Sequence, residues 1–501
     1  MNGPASTSVA SPPLGLDVIA PALGMTEEQA TGPDSTSQPL HQPAGGPDPN
    51  RFDWKEVWYP IHYVQDLDRT KPTSFTLLDQ DLAIWWEPST QNWRVMADQC
   101  PHRLARLSEG RITADGYLEC PYHGWAFSGG GQCERIPQLN GNAQACQSPR
   151  SRLQSLPTTV RQGLLFVYPG QPEKAETTAL PIIEAMEETP EQWICLNTFR
   201  DLPYDALTLL ENVLDSSHLP YTHHRSVGNR ANAAPVELEV VESGKHGFTG
   251  VWAEGPRRGK LGRQDTCFVA PNFMAHDLTS KQFGRTLTVV YATPIGKGKC
   301  RLFARFPFKF ASPWPGRLMR LSPIWYSHMS QNAILEDDQI FLHFQERALA
   351  AAGGSPNVAQ AFYLPTKADL FVLQLHQWLK RYEAEPFQGQ MLPPPWTKPQ
   401  LLDRYHSHTV HCASCRGALA QVKRLRTGLA TGAAIAWTVT LLLLAVGHGG
   451  LSGLPVGFSL LALLALGGWA ALGRLERRFY EGREIPPRNA PEGTKRGSVK
   501  D

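Results

Sequence analysis

At 501 residues the chain has room for two or three domains, each with its own core. A net charge of +2 and a charged fraction of 19% exclude a basic nucleic-acid binder and an acidic tail protein. Nine cysteines over this length do not make a disulfide scaffold, so a reducing, cytosol-like compartment is expected.

Residues 1–50 are rich in Ala, Ser, Thr, Pro and Gly and carry no Lys or Arg, which predicts a disordered leader. The missing arginines count against a plastid transit peptide, and no basic signal sequence is visible. A bacterial protein with a flexible leader is the plainer reading.

From Phe52 the composition changes to aromatic-rich, alternating runs that predict strands and hairpins, and residues 51–175 are expected to form a small β domain. Its centre is QCPHRLARLSEGRITADGYLECPYHGWAF, which places Cys100 and His102 on one loop and Cys120 and His123 on another. One Cys and one His from each of two hairpin tips supply the mixed ligand shell of a Rieske [2Fe–2S] cluster, in which two histidines replace two thiolates on one iron. Zinc also accepts two thiolates and two imidazoles, but zinc fingers pair Cys with Cys and His with His.

Residues 176–400 predict an α+β domain of antiparallel sheet and helices. The segment ALPIIEAMEETPEQW has helical period, Val236–Trp252 reads as strands, and Arg285–Phe308 reads as a hairpin about Gly296-Lys297-Gly298. Longer helices are expected over Met329–Leu349 and Lys367–Glu383. Within LTLLENVLDSSHLPYTHHRS, Asn212, Asp215 and His218 recur every third residue, as along one helix face. On a regular helix His218 and His223 would diverge by about 140°. Pro220 breaks that helix and allows His223 to turn toward the same point. Two imidazoles and one carboxylate make the facial triad of a non-haem Fe(II) centre with positions open for O₂. Asp338 is the first candidate for the carboxylate, with Asp337 and Glu336 as rivals. Asp215 can accept a hydrogen bond from His218, and Asn212 is the weaker candidate beside it.

With FDWKEVWYPIHYVQDLD, CPHRLARLSEGR, CPYHGWAF, GGGQCERIPQ, LLENVLDSSHLPYTHH and YLPTKADLFVLQLHQWL in hand, the chain resembles the Rieske non-haem iron oxygenases over about residues 52–400. HTVHCASCRGAL narrows the resemblance to the pheophorbide a oxygenase group, with its lethal-leaf-spot and translocon-associated Rieske relatives. The resemblance implies a helix-grip catalytic domain. It also implies cluster ligands Cys100, His102, Cys120 and His123, and iron ligands His218, His223 and Asp338. Asp338 matches because the family's acid lies seven residues before a Gln, here Gln345. It further implies that Asp215 bridges toward His123 of the partner subunit in a head-to-tail homotrimer, so that electrons cross between subunits.

Leu429–Val446 and Leu451–Leu472 are uncharged, apolar runs, each about long enough to span a bilayer. Lys423, Arg424 and Arg426 precede them, and Arg474, Arg477 and Arg478 follow. A membrane hairpin over 427–473 is expected, with a linker at 401–426, a polar tail at 474–501, and catalytic domains on the cytoplasmic or stromal face. Cys412 and Cys415 form a CxxC before it. As a dithiol this is a candidate thioredoxin target; half a metal site is the rival, with His408 and His411 nearby to complete it.

No Rossmann-type FAD or NAD motif is evident, so ferredoxin or a reductase is the expected electron source. The expected activity is O₂-dependent oxygenation of a chlorin-like tetrapyrrole. The alternatives are the same chemistry on another hydrophobic aromatic, phyllobilin or lipid substrate, and a membrane redox sensor or translocon-type component working through the CxxC.

Overall fold

The protein is described here from a computed structural model covering residues 51–140, 144–280, 284–447 and 453–491. The expected disordered leader lies outside these residues, as do 448–452 of the expected hairpin turn and the last ten positions.

The first domain consists of three small antiparallel sheets. β1 (Tyr59–Tyr63) belongs with strands introduced below; β2 (Thr73–Leu77), β3 (Gln80–Glu87) and β4 (Asn92–Ala97) form a meander. β5 (Arg111–Ile112), β6 (Leu118–Glu119), β7 (Ala126–Phe127) and β8 (Cys133–Arg135) form the ladder that carries the ligand loops. β9 (Ser155–Leu156) closes the meander beside β4, and β10 (Thr158–Arg161) and β11 (Leu164–Val167) complete the sheet with β1. β3 is the pivot, because successive side chains point to opposite faces of a strand. Leu82 and Ile84 enter the core shared with the catalytic domain, whereas Ala83 and Trp85 enter the core beneath the ligand loops.

The second domain is built on a seven-stranded antiparallel sheet: β12 (Ile194–Leu202), β13 (Leu238–Gly244), β14 (Gly247–Trp252), β15 (Gln264–Val269), β16 (Phe273–Ser280), β17 (Gly284–Gly296) and β18 (Lys299–Lys309). Its spatial order is 12-18-17-16-15-14-13. Both faces are covered. Met274, Val290 and Leu302 pack in one core with Leu209, Leu210 and Leu214 of the helix Ala206–Leu214 and with Phe371, Leu375 and Trp378 of the helix Leu370–Arg381. The alternate residues Phe273, Val289, Tyr291 and Phe303 pack in a second core with Met329, Leu419 and Phe479. This period-two division explains why these strands read as nearly continuous apolar runs.

The segment expected as a helix over 179–193 forms only one helical turn, Ala185–Glu188, and a 3₁₀ turn, Pro190–Gln192. Pro181 and Pro190 bracket it and withhold the N–H groups a longer helix needs. Ile182, Ile183 and Trp193 are instead buried individually. The two apolar C-terminal helices run longer than the apolar stretches alone, over Ala413–Ala445 and Gly453–Arg477, and are long and apolar enough to cross a membrane. Residues 401–426, expected as a linker, are folded against the catalytic domain, with Leu401, Cys412, Cys415, Leu419 and Val422 buried.

No other described element buries as many polar side chains as the 28-residue helix Ile324–Ala351. Glu336, one rival for the iron carboxylate, is taken out of contention by Arg200 and Arg404. Arg200 Nη1 donates to Glu336 Oε1 at 2.8 Å, and Arg404 donates to both carboxylate oxygens at 2.5 and 2.7 Å. Arg200 is fully buried. Burial alone would raise the Glu336 pKa, but the adjacent charges of Arg404 and Arg200 outweigh it and hold the group below its ordinary value. Glu336 therefore stabilises the fold above the ordinary carboxylate range, and that contribution is lost as pH falls below it. Replacing Glu336 with Ala strands two buried guanidinium groups, and is expected to cost about 3–5 kcal/mol. An earlier urea midpoint in detergent, followed by circular dichroism, checks this. An unchanged midpoint would contradict it.

Candidate active site

The two cluster loops repeat one backbone device. In the first, Cys100 N–H donates to the Ala105 carbonyl at 2.9 Å and Leu104 N–H returns to the Cys100 carbonyl at 2.8 Å. In the second, Cys120 N–H donates to the Trp125 carbonyl at 2.8 Å and Gly124 N–H returns to the Cys120 carbonyl at 3.1 Å. The fourth residue after each cysteine is left-handed, with φ 58° at Leu104 and 74° at Gly124. Gly124 has a second reason to lack a side chain, since a Cβ there would lie 3.0 Å from Pro137 Cγ.

The result is a two-fold-like clamp with Cys100 and Cys120 buried and the imidazoles at the outer edge. The His102 and His123 rings lie 4.5 Å apart, and His102 stacks on Trp125 with centroids 4.8 Å apart and planes within 5°. Gln138 Nε2 donates to the His123 carbonyl at 2.9 Å and fixes the second loop. Thiolates inside and imidazoles outside fit a Rieske cluster, in which Cys100 and Cys120 would hold one iron and His102 and His123 the other.

The second centre differs from the single helix face expected. The helix Ala206–Leu214 stops at Asp215, and a separate turn, Leu219–Thr222, begins after His218. His218 and His223 flank that turn, with Pro220 inside it. Asn212, Asp215 and His218 are therefore held by two elements. The break brings one ligand atom each from His218, His223 and Asp338 within 4.8 Å of one another. His223 Nε2 lies 3.3 Å from Asp338 Oδ2, and His218 Nε2 lies 3.9 Å from Asp338 Oδ1.

The far nitrogens are committed elsewhere. His218 Nδ1 is 2.5 Å from the Asp215 main-chain carbonyl, and His223 Nδ1 is 3.4 Å from Asp337 Oδ2. Acceptors at Nδ1 keep the proton there and leave both Nε2 atoms bare toward the common point. Burial pushes the Asp338 carboxyl above its ordinary value, and the neighbouring His223 and His218 only partly offset this. A cation at the common point would reverse that shift, so the donor set fits a mononuclear iron with open positions.

Asp337 is a supporting residue. It also accepts from Ser226 Oγ at 2.9 Å. Asp215 holds His218 through its backbone, while its carboxylate accepts from Ser217 N and Oγ at 2.7 and 2.6 Å and stays partly exposed. Asn212 Nδ2 donates to Asp338 Oδ1 at 3.5 Å.

Two contributors were not foreseen. His276 on β16 donates from Nε2 to the Val213 carbonyl at 3.0 Å, supporting the last turn before Asp215; burial pushes its pKa down to about 4 and keeps it neutral. Arg488, within the expected polar tail, donates to the Thr222 and Asp337 carbonyls at 3.1 and 2.6 Å, bracing both sides of the centre. Its only sequence signal was an arginine between prolines, which many loops share.

A cavity of about 310 Å³ opens beside this centre, lined by Ser217, Leu219, Pro220, Trp252, Arg257 and Gln264 among others. Trp252 both lines this cavity and packs in the core, whereas Phe268 and Phe273 are core side chains only.

Asp337→Asn tests the supporting contact. It is expected to weaken retention of the mononuclear iron by about 10- to 100-fold, measured by dialysis against a graded chelator. The paramagnetic signal of the reduced cluster should persist. Iron retention equal to the parent's would contradict the geometry.

Comparison with known proteins matches parts of the chain to two family models. A Rieske [2Fe-2S] domain matches residues 57–157, and the pheophorbide a oxygenase model matches residues 268–356. The chain is 35% identical over 450 residues to a chloroplastic pheophorbide a oxygenase of Oryza sativa subsp. japonica, covering 83% of each chain. It is 37% identical over 422 residues to the Arabidopsis thaliana pheophorbide a oxygenase, covering 78% of this chain and 77% of the relative. The crystal structure of dicamba monooxygenase bound to dicamba shares the fold, with TM-score 0.54 and 23% identity over 66% of this chain and 97% of that one. A thiolate–imidazole cluster clamp, a two-histidine, one-carboxylate centre and these relatives agree, and the chain belongs to the pheophorbide a oxygenase family of Rieske non-haem iron oxygenases.

Proposed function

We propose that this protein oxygenates a chlorin-type tetrapyrrole such as pheophorbide a, using O₂ and electrons from ferredoxin or a reductase. The carrying observation is the triad His218, His223 and Asp338, with the residues next to His218 (Ser217 and Leu219) lining a cavity of mixed apolar and polar walls whose exposed charges are Arg257, Arg258 and Glu254. Leu219, Pro220, Val227, Trp252 and Leu278 offer surface for a flat macrocycle, and the exposed Arg257 and Arg258 suit a carboxylate substituent. When bound, the cluster supplies single electrons and the mononuclear iron activates O₂. The chain holds the macrocycle edge toward the triad, fixes both imidazoles through Asp215 and Asp337, and keeps water from the buried Asp338.

Electron delivery is proposed to cross between copies in a head-to-tail trimer. His102 is exposed and His123 partly so, and the Asp215 carboxylate is 28% exposed, so both ends of such a bridge are open to a neighbour. The membrane assignment rests on the C-terminal hairpin. Ile435, Leu441, Leu442, Leu461 and Leu464 are all more than half exposed, an arrangement suited to lipid. At the base Arg426 pairs with Glu476 and lies 4.7 Å over the Trp469 ring, the amphipathic chemistry of a membrane interface. Basic residues at both outer ends support the cytoplasmic or stromal placement of the catalytic domains.

Incubation of the full chain with ferredoxin, its reductase and pheophorbide a under isotopically labelled O₂ is expected to place label in the product. Intact metal centres with no turnover would contradict the substrate assignment. Asp215→Asn is expected to retain both centres while slowing single-turnover electron transfer at least tenfold, measured by stopped-flow absorbance of the cluster. Equal rates would remove Asp215 from the electron path.

A further inference from the structure

A second group of metal-ligating side chains lies away from the active site, where the first apolar helix meets the catalytic domain. His328, His408, Cys412 and Cys415 are all buried, and one ligand atom from each lies within 4.8 Å of the others. Three separate segments contribute. His328 comes from the first turns of the helix Ile324–Ala351, His408 from a π-helical turn, Tyr405–Thr409, and the cysteines from the start of the helix Ala413–Ala445.

The spacing is that of a tetrahedron. Metal–sulfur and metal–nitrogen bonds of about 2.3 and 2.0–2.1 Å imply S···N edges of about 3.5 Å and an N···N edge of about 3.3 Å. Here Cys412 Sγ and Cys415 Sγ lie 3.5 and 3.6 Å from His328 Nδ1, Cys415 Sγ lies 3.4 Å from His408 Nε2, and the two nitrogens lie 3.2 Å apart.

The outer nitrogens settle the tautomers. His408 Nδ1 lies 2.7 Å from the Phe199 carbonyl and His328 Nε2 lies 2.8 Å from the Asn197 carbonyl, both on β12. A carbonyl can only accept, so each outer nitrogen carries the proton and each inner nitrogen presents a lone pair. Two lone pairs facing each other at this distance, with only weak thiol donors beside them, are best satisfied by a shared cation. Backbone acceptors behind metal-bound imidazoles are also the usual way such ligands are oriented.

We propose that His328, His408, Cys412 and Cys415 bind one structural Zn²⁺ that fastens the first apolar helix to the catalytic domain. Binding exchanges two thiol protons for the ion, 2 RSH + Zn²⁺ → Zn(SR)₂ + 2 H⁺, with no change of oxidation state. A mixed thiolate–imidazole set of four, with no side left open, suits zinc in a structural role. A freely exchanging dithiol is a poorer fit. Cys412 is 0% and Cys415 2% exposed, so a redox partner would first have to unseat the helix. The fourth ligand also explains what the CxxC and its neighbouring histidines left open: His408 joins it and His411 does not, while His328 arrives from 80 residues upstream of His408.

Zinc is to be measured by inductively coupled plasma mass spectrometry in the full chain, purified in detergent without chelators. About one zinc per chain is expected. In His328→Ala and in the Cys412→Ser, Cys415→Ser double variant, zinc should fall at least tenfold while the reduced-cluster signal and the mononuclear iron are retained. If these variants do not fold, zinc K-edge absorption on the unaltered chain decides the matter: a shell of two sulfurs and two nitrogens is expected. Absence of zinc, a Cys412–Cys415 disulfide in the isolated protein, iron in place of zinc, or a zinc shell without sulfur would each overturn the proposal.

Discussion

The structure depends on one unusual constraint: a long helix with a buried polar face. Ile324–Ala351 buries His328, Gln331, Asn332, Glu336, Asp337, Asp338, Gln339, His343 and Glu346. A buried polar group without a partner costs about 1–3 kcal/mol, and more if charged, so this face could not exist without specific surroundings. Glu336 meets Arg200 and Arg404; Asp337 meets Ser226 and, at longer range, His223; His343 Nδ1 lies 2.6 Å from the Pro203 carbonyl; Glu346 accepts from the Asp205 N–H at 2.7 Å. The partners come from four segments: β12, the loop after it, the stretch around His223 and Ser226, and the segment around Arg404. The helix thereby fixes where β12, the turn after it, the iron histidines and the C-terminal segment must lie.

Asp338 and His328 occupy the same helix, ten residues or about 15 Å apart along its axis. One end of this span places Asp338 beside His218 and His223. The other lies among the CxxC and His408, at the root of the apolar hairpin. The candidate active site and the root of the apolar hairpin thus lie on one helix rather than in domains joined by a flexible tether. The C-terminal segment strengthens this arrangement, because after leaving the hairpin it returns to brace the iron centre through Arg488.

What the sequence made legible follows from what is local. The cluster loops are short hairpin tips, and their ligands, turn glycine and stacking tryptophan all fall within CPHRLARLSEGR and CPYHGWAF. The convergence of His218 and His223 was readable for the same reason, with Pro220 marking the break between them. The helix stop at Asp215 was less visible, since a threefold recurrence looks the same on one helix as on two elements that merely continue in direction. Glu336, Asp337 and Asp338 could be separated only by the family spacing to Gln345, not by their own chemistry: three adjacent acids differ only in which segment each one faces. His328 was illegible because its role depends on residues near position 410, and nothing in IWYSHMSQ announces them. The missing helix over 179–193 shows the converse error, in which a helical period was present but two prolines and individual burial against the sheet prevailed.

The most direct test is electron paramagnetic resonance of the reduced full chain exposed to nitric oxide, which reports a mononuclear Fe(II) with an open position. The account predicts an iron–nitrosyl signal alongside the Rieske signal in the parent protein, and in Asp338→Ala the loss of the first with the second intact. A nitrosyl signal undiminished in Asp338→Ala would mean that this carboxylate does not hold the iron and that the polar face of the helix serves another purpose.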